Sequence, residues 1–150
     1  MSQDEIVGDV EESVGYVLKR TTTALRSSMD SALRPLDLTV PQYSCLELLG
    51  QNPGLSNAEL ARGVFVTRQA MEGVLRGLRE RGLVTRPDTA PRGRALPTEL
   101  TDTGHELLHQ ASVAVRVVEK RMLSPLTRQQ QRRLCDDLAA CAAALAAPDD

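Results

Sequence analysis

Arg68 and Gln69 stand side by side after Thr67, and each side chain can hold a nucleobase edge through two hydrogen bonds. An arginine guanidinium matches the O6 and N7 acceptors of guanine, and a glutamine amide matches N6 and N7 of adenine. His105-Glu106-Leu107-Leu108-His109 offers a different chemistry. Imidazoles four residues apart share one face of a helix, and with Glu106 they match H-E-x-x-H, in which two histidines bind zinc and the glutamate is the base. A catalytic zinc site also needs a third protein ligand and a substrate cleft. His105 and His109 are the two histidines of the chain. The next acid along, Glu119, is ten residues further down the same helix, about 15 Å away by helical rise. The expectation is therefore two ordinary helix residues, no resident metal, no cofactor and no enzymatic activity.

The elements that would have to position Arg68 and Gln69 are legible around them. Ser56-Asn57-Ala58-Glu59 is a Ser-x-x-Glu capping box, which starts a short helix that turns Leu60 and Ala61 inward. Gly63 is expected to allow the tight turn through Val64-Phe65-Val66. Thr67 is a second N-cap, and its helix places Met71, Val74, Leu75 and Leu78 on one face. Gly82 ends that helix. Leu83 to Arg86 reads as a strand, a loop carrying Asp88, Arg92 and Arg94 follows, and Ala95 to Leu100 returns as its partner. Pro97 removes one ladder donor from that second strand.

Two short helices meeting at a turn, then a basic hairpin, predict a winged helix-turn-helix. In such a module Thr67, Arg68 and Gln69 enter the major groove and Arg76 meets a phosphate. Ser56, Asn57 and the N-terminus of their helix hold another phosphate. Arg92 and Arg94 reach a narrow minor groove. Glu72 either accepts a bond from cytosine N4 or turns away.

A net charge of −2 suits a polyanion's partner only when it is divided. Ser56 to Arg94 holds eight arginines and four acids, net +4, while the rest holds ten basic and sixteen acidic residues, net −6. Positive charge is thus concentrated where phosphate contacts are expected. With one Phe, two Tyr and no Trp, the core must be aliphatic. No apolar run is long enough for a membrane span. The acidic N-terminus lacks the pattern of a signal peptide, which points to the cytoplasm. Cys45, Cys135 and Cys141 form no CxxC pair and are expected to act as small buried hydrophobes.

On either side of the central segment the apolar pattern continues. Val10, Val14, Val17, Leu18, Leu25, Met29, Ala32 and Leu33 predict a long helix over about 9–34, ended by Pro35. Thr39-Val40-Pro41-Gln42 is a capping box opening a helix with Tyr43, Leu46, Leu48 and Leu49. Thr101 caps a helix to about Met122. Thr127 to Gln130 is a further capping box, and its helix carries Leu134, Leu138, Cys141 and Leu145 at spacings of 4, 3 and 4. The expected fold is mainly α with a small β-hairpin wing. It forms one domain over 1–150: a winged helix-turn-helix at about 39–100, flanked by dimerisation helices at about 9–34 and 101–147. Apolar stripes at both ends of the chain are best buried across the two-fold axis of a homodimer, which would read a palindrome in double-stranded DNA.

The run NAELARGVFVTRQAMEGVLRGLRERGLVTR resembles the helix-turn-helix of the MarR family. Arg92-Gly93-Arg94 and Leu100-Thr101-x-x-Gly104 resemble the end of that family's wing and the start of its next helix. Thr39-Val40-Pro41-Gln42-Tyr43 resembles the helix before the reading head. The resemblance implies a triangular homodimeric repressor with two DNA-binding lobes. It also implies a small-molecule effector between the dimer helices and the reading head, for which Tyr16, Arg20 and Tyr43 are the pocket candidates. Glu72 and Gly73 depart from the polar or basic residues common in the family. Arg92 stands where an Asp often orients the wing arginine, leaving Asp88 as the substitute. A peroxide-sensing branch uses a cysteine near the start of its first helix, and this chain has none before Cys45. A zinc-responsive branch binds metal with histidines of the helix that here carries His105 and His109, so a metal-responsive regulator is one alternative, with Asp30, Asp37 or Cys45 as further donors. A winged-helix interaction module that does not read DNA is the other.

Overall fold

Serine and threonine hydroxyls set the helix starts in the computed structural model, which describes residues 1–86 and 97–148. Thr39 Oγ1 accepts the Gln42 N–H at 3.2 Å, and the Gln42 side chain accepts the Thr39 N–H at 3.0 Å, opening α3 (Val40–Gln51). Ser56 and Glu59 make the same reciprocal pair at 3.2 and 3.3 Å before α4 (Asn57–Val64). Thr127 and Gln130 repeat it before α7 (Arg128–Ala146). Thr67 caps α5 (Arg68–Glu80) through the Ala70 N–H alone, because alanine has no group to reach back. Each cap stabilises its helix by about 1 kcal/mol.

The N-terminal segment departs from the single helix expected over 9–34. A short α1 (Gln3–Val7) ends at Gly8, whose φ is +77°, and Asp9 then caps a 3-10 turn at Val10–Glu12. Ser13 is extended, so α2 begins only at Val14 and runs to Leu33. The carboxylate of Asp9, bonding locally to the Glu11 N–H at 3.0 Å, offers this stretch an alternative to helix. At the other end Pro35 sits in a 3-10 turn, Arg34–Leu36, and Asp37 closes it in the left-handed region at φ 53°.

One aliphatic cluster holds the segment from α2 to the first half of α6 (Asp102–Leu123) together. Leu33, Cys45, Leu46, Leu60, Met71, Leu75, Leu78 and Ala111 have no exposed surface. Burying a Leu or Met side chain is worth roughly 1.5–3 kcal/mol, so this layer stands in for the missing aromatics. Three glycines let elements approach closely, Gly50 among them, where a Cβ would stand 2.6 Å from Leu108 Cδ2. A Cβ on Gly63 would stand 2.6 Å from Leu48 Cδ1, and one on Gly104 would collide with the Leu83 carbonyl. Gly63 therefore serves packing. The turn after α4 is made by Phe65, at φ 63°, a correction to the glycine turn that its sequence suggests.

The sheet is small: β1 (Val84–Thr85) pairs antiparallel with β2 (Glu99–Leu100), Val84 opposite Leu100 and Thr85 opposite Glu99. Thr98 extends the second strand to the segment before α4, donating to the Leu55 carbonyl and accepting from the Gly54 N–H, both at 3.0 Å. Thr101 N–H bonds the Leu83 carbonyl at 3.1 Å, and Thr101 Oγ1 donates to the Gly82 carbonyl and accepts from Gly104 N–H. The start of α6 is thereby stitched to the turn that ends α5.

Residues 1–118 and 119–150 are two compact units. In the second, the Gln131 amide donates to the Leu123 and Leu126 carbonyls, both at 3.2 Å, and fixes the turn into α7. No residue of α7 is buried. Cys135 and Cys141 are exposed, contrary to expectation, and Cys45 alone is a buried thiol.

Candidate nucleic-acid interface

Helix α5 has two faces of opposite character. Met71, Leu75 and Leu78 are wholly buried, which fixes the helix rigidly against the head. Thr67, Arg68, Gln69 and Arg76 are exposed, with Arg68 and Gln69 in the first turn. That turn also presents backbone N–H groups that no helical carbonyl satisfies, the end of the helix that attracts anions. The C-terminus of α5 is equally well defined. Gly82, at φ 70°, donates to the Arg79 carbonyl at 2.9 Å and Leu83 to the Leu78 carbonyl at 2.9 Å, a Schellman closure.

The predicted phosphate contacts at the start of α4 divide. Ser56 is 8% exposed and its hydroxyl is engaged in the cap. Asn57 is half-buried, and its Nδ2 donates to Glu72 Oε1. The Arg86 Nη1 lies 3.6 Å from the same oxygen. Glu72, whose side chain stays 42% exposed, links α4, α5 and the residue after β1. In the free head the Glu72 carboxylate is held by partners within the protein. Asn57 Oδ1 is buried without a hydrogen-bond partner; reversing the amide would set oxygen against the Glu72 carboxylate, so the pairing fixes its orientation. Arg92 and Arg94, and the substitute Asp88, lie outside the described residues.

Arg81 is a second contact that sequence reading missed. Its Nη1 donates to the Asp37 carbonyl at 2.6 Å and its Nη2 to the Leu36 carbonyl at 3.2 Å. The end of α5 is thereby tethered to the corner between α2 and α3. Neither contact has a local signal, since the partners are 44 and 45 residues apart.

The effector candidates lie on two helices, Tyr16 and Arg20 one turn apart on α2 and Tyr43 on α3. Tyr16 is 43% exposed and Arg20 is exposed, both on α2, while Tyr43 packs half-buried against the core. None of the three lines either of two open grooves on this unit. One, of about 430 Å3, is lined by Asp30, Arg34, Asp37, Leu38, Thr39, Gln42 and Arg81. The other, of about 280 Å3, is lined by Glu47, Gly50, Gln51, His105, Leu108, His109 and Ser112. The donors considered as partners for the histidine pair are not brought to it. Asp30 and Asp37 line the first groove, and Cys45 is buried with its thiol pKa pushed up to about 12 by desolvation. Among the described residues no three His, Cys, Asp or Glu side chains converge as a metal site, and no helix is long and apolar enough to cross a membrane.

A buried-faced helix following a short helix and a turn, with a two-stranded hairpin behind it, defines a winged helix-turn-helix protein. A sequence model described as MarR family matches residues 36–95. The HTH-type transcriptional repressor Rv2887 of Mycobacterium tuberculosis is 48% identical over 119 residues, covering 79% of this chain and 86% of that protein. The crystal structure of the Mycobacterium tuberculosis Rv2887 complex with DNA aligns at 43% identity and a TM-score of 0.72, over 85% of this chain and 96% of the other. The Rv2887 complex with p-aminosalicylic acid aligns at 45% identity and a TM-score of 0.71, over 86% and 98%. The chain belongs to the MarR family.

Proposed function

We infer that this protein is a sequence-specific transcriptional repressor that binds a palindromic operator in double-stranded DNA as a homodimer and responds to a small-molecule effector. The observation that carries it is the first turn of α5. Thr67, Arg68 and Gln69 are exposed there on a helix whose other face is locked into the core. Arg68 and Gln69 read base edges, Thr67 and Arg76 meet the groove margin and a phosphate, and the N-terminus of α4 at Ser56 and Asn57 presents backbone N–H groups to a second phosphate. The Ser56 and Asn57 side chains, engaged within the head, position that terminus. Arg92 and Arg94 extend the contact into the minor groove.

Rv2887 has been crystallised with DNA and with p-aminosalicylic acid, which supports an aryl carboxylic acid as the effector class. Such a ligand calls for a cation and aromatic surface, and Arg20 with Tyr16 and Tyr43 supplies them. The repressor acts in the cytoplasm and catalyses no reaction. The test is a gel shift on the region upstream of its own coding sequence, repeated across a salt series. Footprinted binding to a palindrome, weakening steeply with salt and relieved by salicylate, is expected. Equal affinity for every duplex would overturn the reading.

A further inference from the structure

Phe65 is the chain's one phenylalanine, and it occupies the first position of the turn between α4 and α5. Its backbone is left-handed, φ 63° and ψ 42°. Its N–H bonds the Arg62 carbonyl at 3.3 Å, and the next N–H, of Val66, bonds the Ala61 carbonyl at 3.0 Å. Turns of this kind often use glycine, because a Cβ is disfavoured in that region. The ring offers no compensation through burial, since the residue is 93% exposed. Neither the backbone nor the core accounts for a phenyl group here.

Its surroundings point to what does. Val64 and Val66 on either side pack half-buried against the core, so Phe65 projects outward as Thr67 does. Thr67 caps α5, and two peptide units span at most about 7 Å, which puts the ring at the rim of any surface the first turn of α5 enters. Arg62 and Arg68, both exposed, flank it in sequence. An exposed ring between two arginines fits a polyanion that carries apolar groups, and in the major groove that group is the thymine 5-methyl. We propose that Phe65 is a specificity-determining residue whose ring packs on the methyl of a thymine at the margin of each half-site. This rests on the DNA-reading assignment above.

The test starts from an operator that the wild-type protein selects out of random duplex, with each thymine then replaced by deoxyuridine. At one position per half-site the wild type should lose about fourfold in affinity, the worth of one buried methyl. Phe65→Asn should bind the thymine operator more weakly and be indifferent to that replacement, and Phe65→Leu should retain part of the discrimination. Phe65→Asn and Phe65→Gly should melt no lower than wild type, since both residues tolerate the left-handed backbone. Wild-type affinity in Phe65→Asn, the same uracil penalty in both proteins at every position, or a lowered melting temperature would each overturn the proposal. Failure of the wild type to select any sequence would instead remove the DNA-reading assignment itself.

Discussion

Helices α5 and α7 both start at a threonine cap and both carry apolar residues at helical spacing, yet they end in different environments. In α5, Met71, Leu75 and Leu78 are completely buried, whereas α7 leaves Leu134 and Leu138 about two-fifths exposed and Leu145 at 89%. Periodicity says which face of a helix is apolar; it does not say what covers it. For α5 the cover is within the chain, supplied by neighbouring elements of the same cluster. For α7, three turns of leucine without a buried residue agree with the proposed homodimer, in which a second copy completes the face.

The largest test of that contrast is a pair of truncations. Leu75→Ala should cost about 2–5 kcal/mol of unfolding free energy, the range for a large-to-small change in a closed core. Leu138→Ala removes as many atoms, but from a surface site, and should leave the melting of dilute monomer within about 0.5 kcal/mol of wild type. Its effect should appear in sedimentation equilibrium as weaker self-association. A Leu138→Ala protein that melts early and associates normally would mean that α7 is covered within its own chain.

The same contrast marks how far the sequence is legible. Capping boxes at Thr39, Ser56 and Thr127 lie within four residues, and each forms as its spacing implies. The buried stripe of α5 is legible for the same reason. Contacts that join distant segments are not. Nothing near Glu72 announces Asn57, fifteen residues away, and nothing near Arg81 announces the Asp37 carbonyl. Gly63 and Phe65 show the failure at close range. The local rule hands the turn to glycine, but packing needs the glycine beneath Leu48, and the left-handed position falls to the residue two places on. Asp9 and Ser13 likewise break a helix that the apolar spacing alone would run straight through.

Within the head, side chains facing out and side chains facing in should fail in different assays. Arg68→Ala should lose about 1–3 kcal/mol of operator affinity and relax discrimination at one base pair of each half-site, with the melting temperature unchanged. Glu72→Ala should do the reverse in stability, costing about 1–2 kcal/mol by leaving Asn57 Nδ2 and the largely buried Arg86 without their shared acceptor. Glu72→Gln keeps an acceptor for Asn57 and should recover much of that loss. Urea melts and binding isotherms on the three variants separate the roles. An Arg68→Ala protein that binds every sequence as wild type does would remove the base-reading assignment.

The smallest expected effect compares thiols across the same two regions. Cys45 has no exposed surface and its pKa is raised to about 12 by desolvation, while Cys135 and Cys141 on α7 are exposed. Because the folded pKa of Cys45 exceeds the unfolded value of about 9.0, the unfolded chain gives up this proton first as pH rises. The thiol's contribution to stability is therefore complete below pH 9 and is lost progressively between there and pH 12. At pH 9.5 the loss should be on the order of 1 kcal/mol. The measurement is the difference between wild type and Cys45→Ala in urea melts from pH 7 to 10, which isolates the thiol. Wild type should fall more steeply, and the two curves should run parallel below pH 8. With Cys135 and Cys141 both changed to serine, the remaining thiol should resist an aromatic disulfide reagent at pH 8 until urea unfolds the head. Rapid labelling of that thiol in the native protein would show that Cys45 is reached without unfolding, and the contrast between the two regions would lose its chemical counterpart.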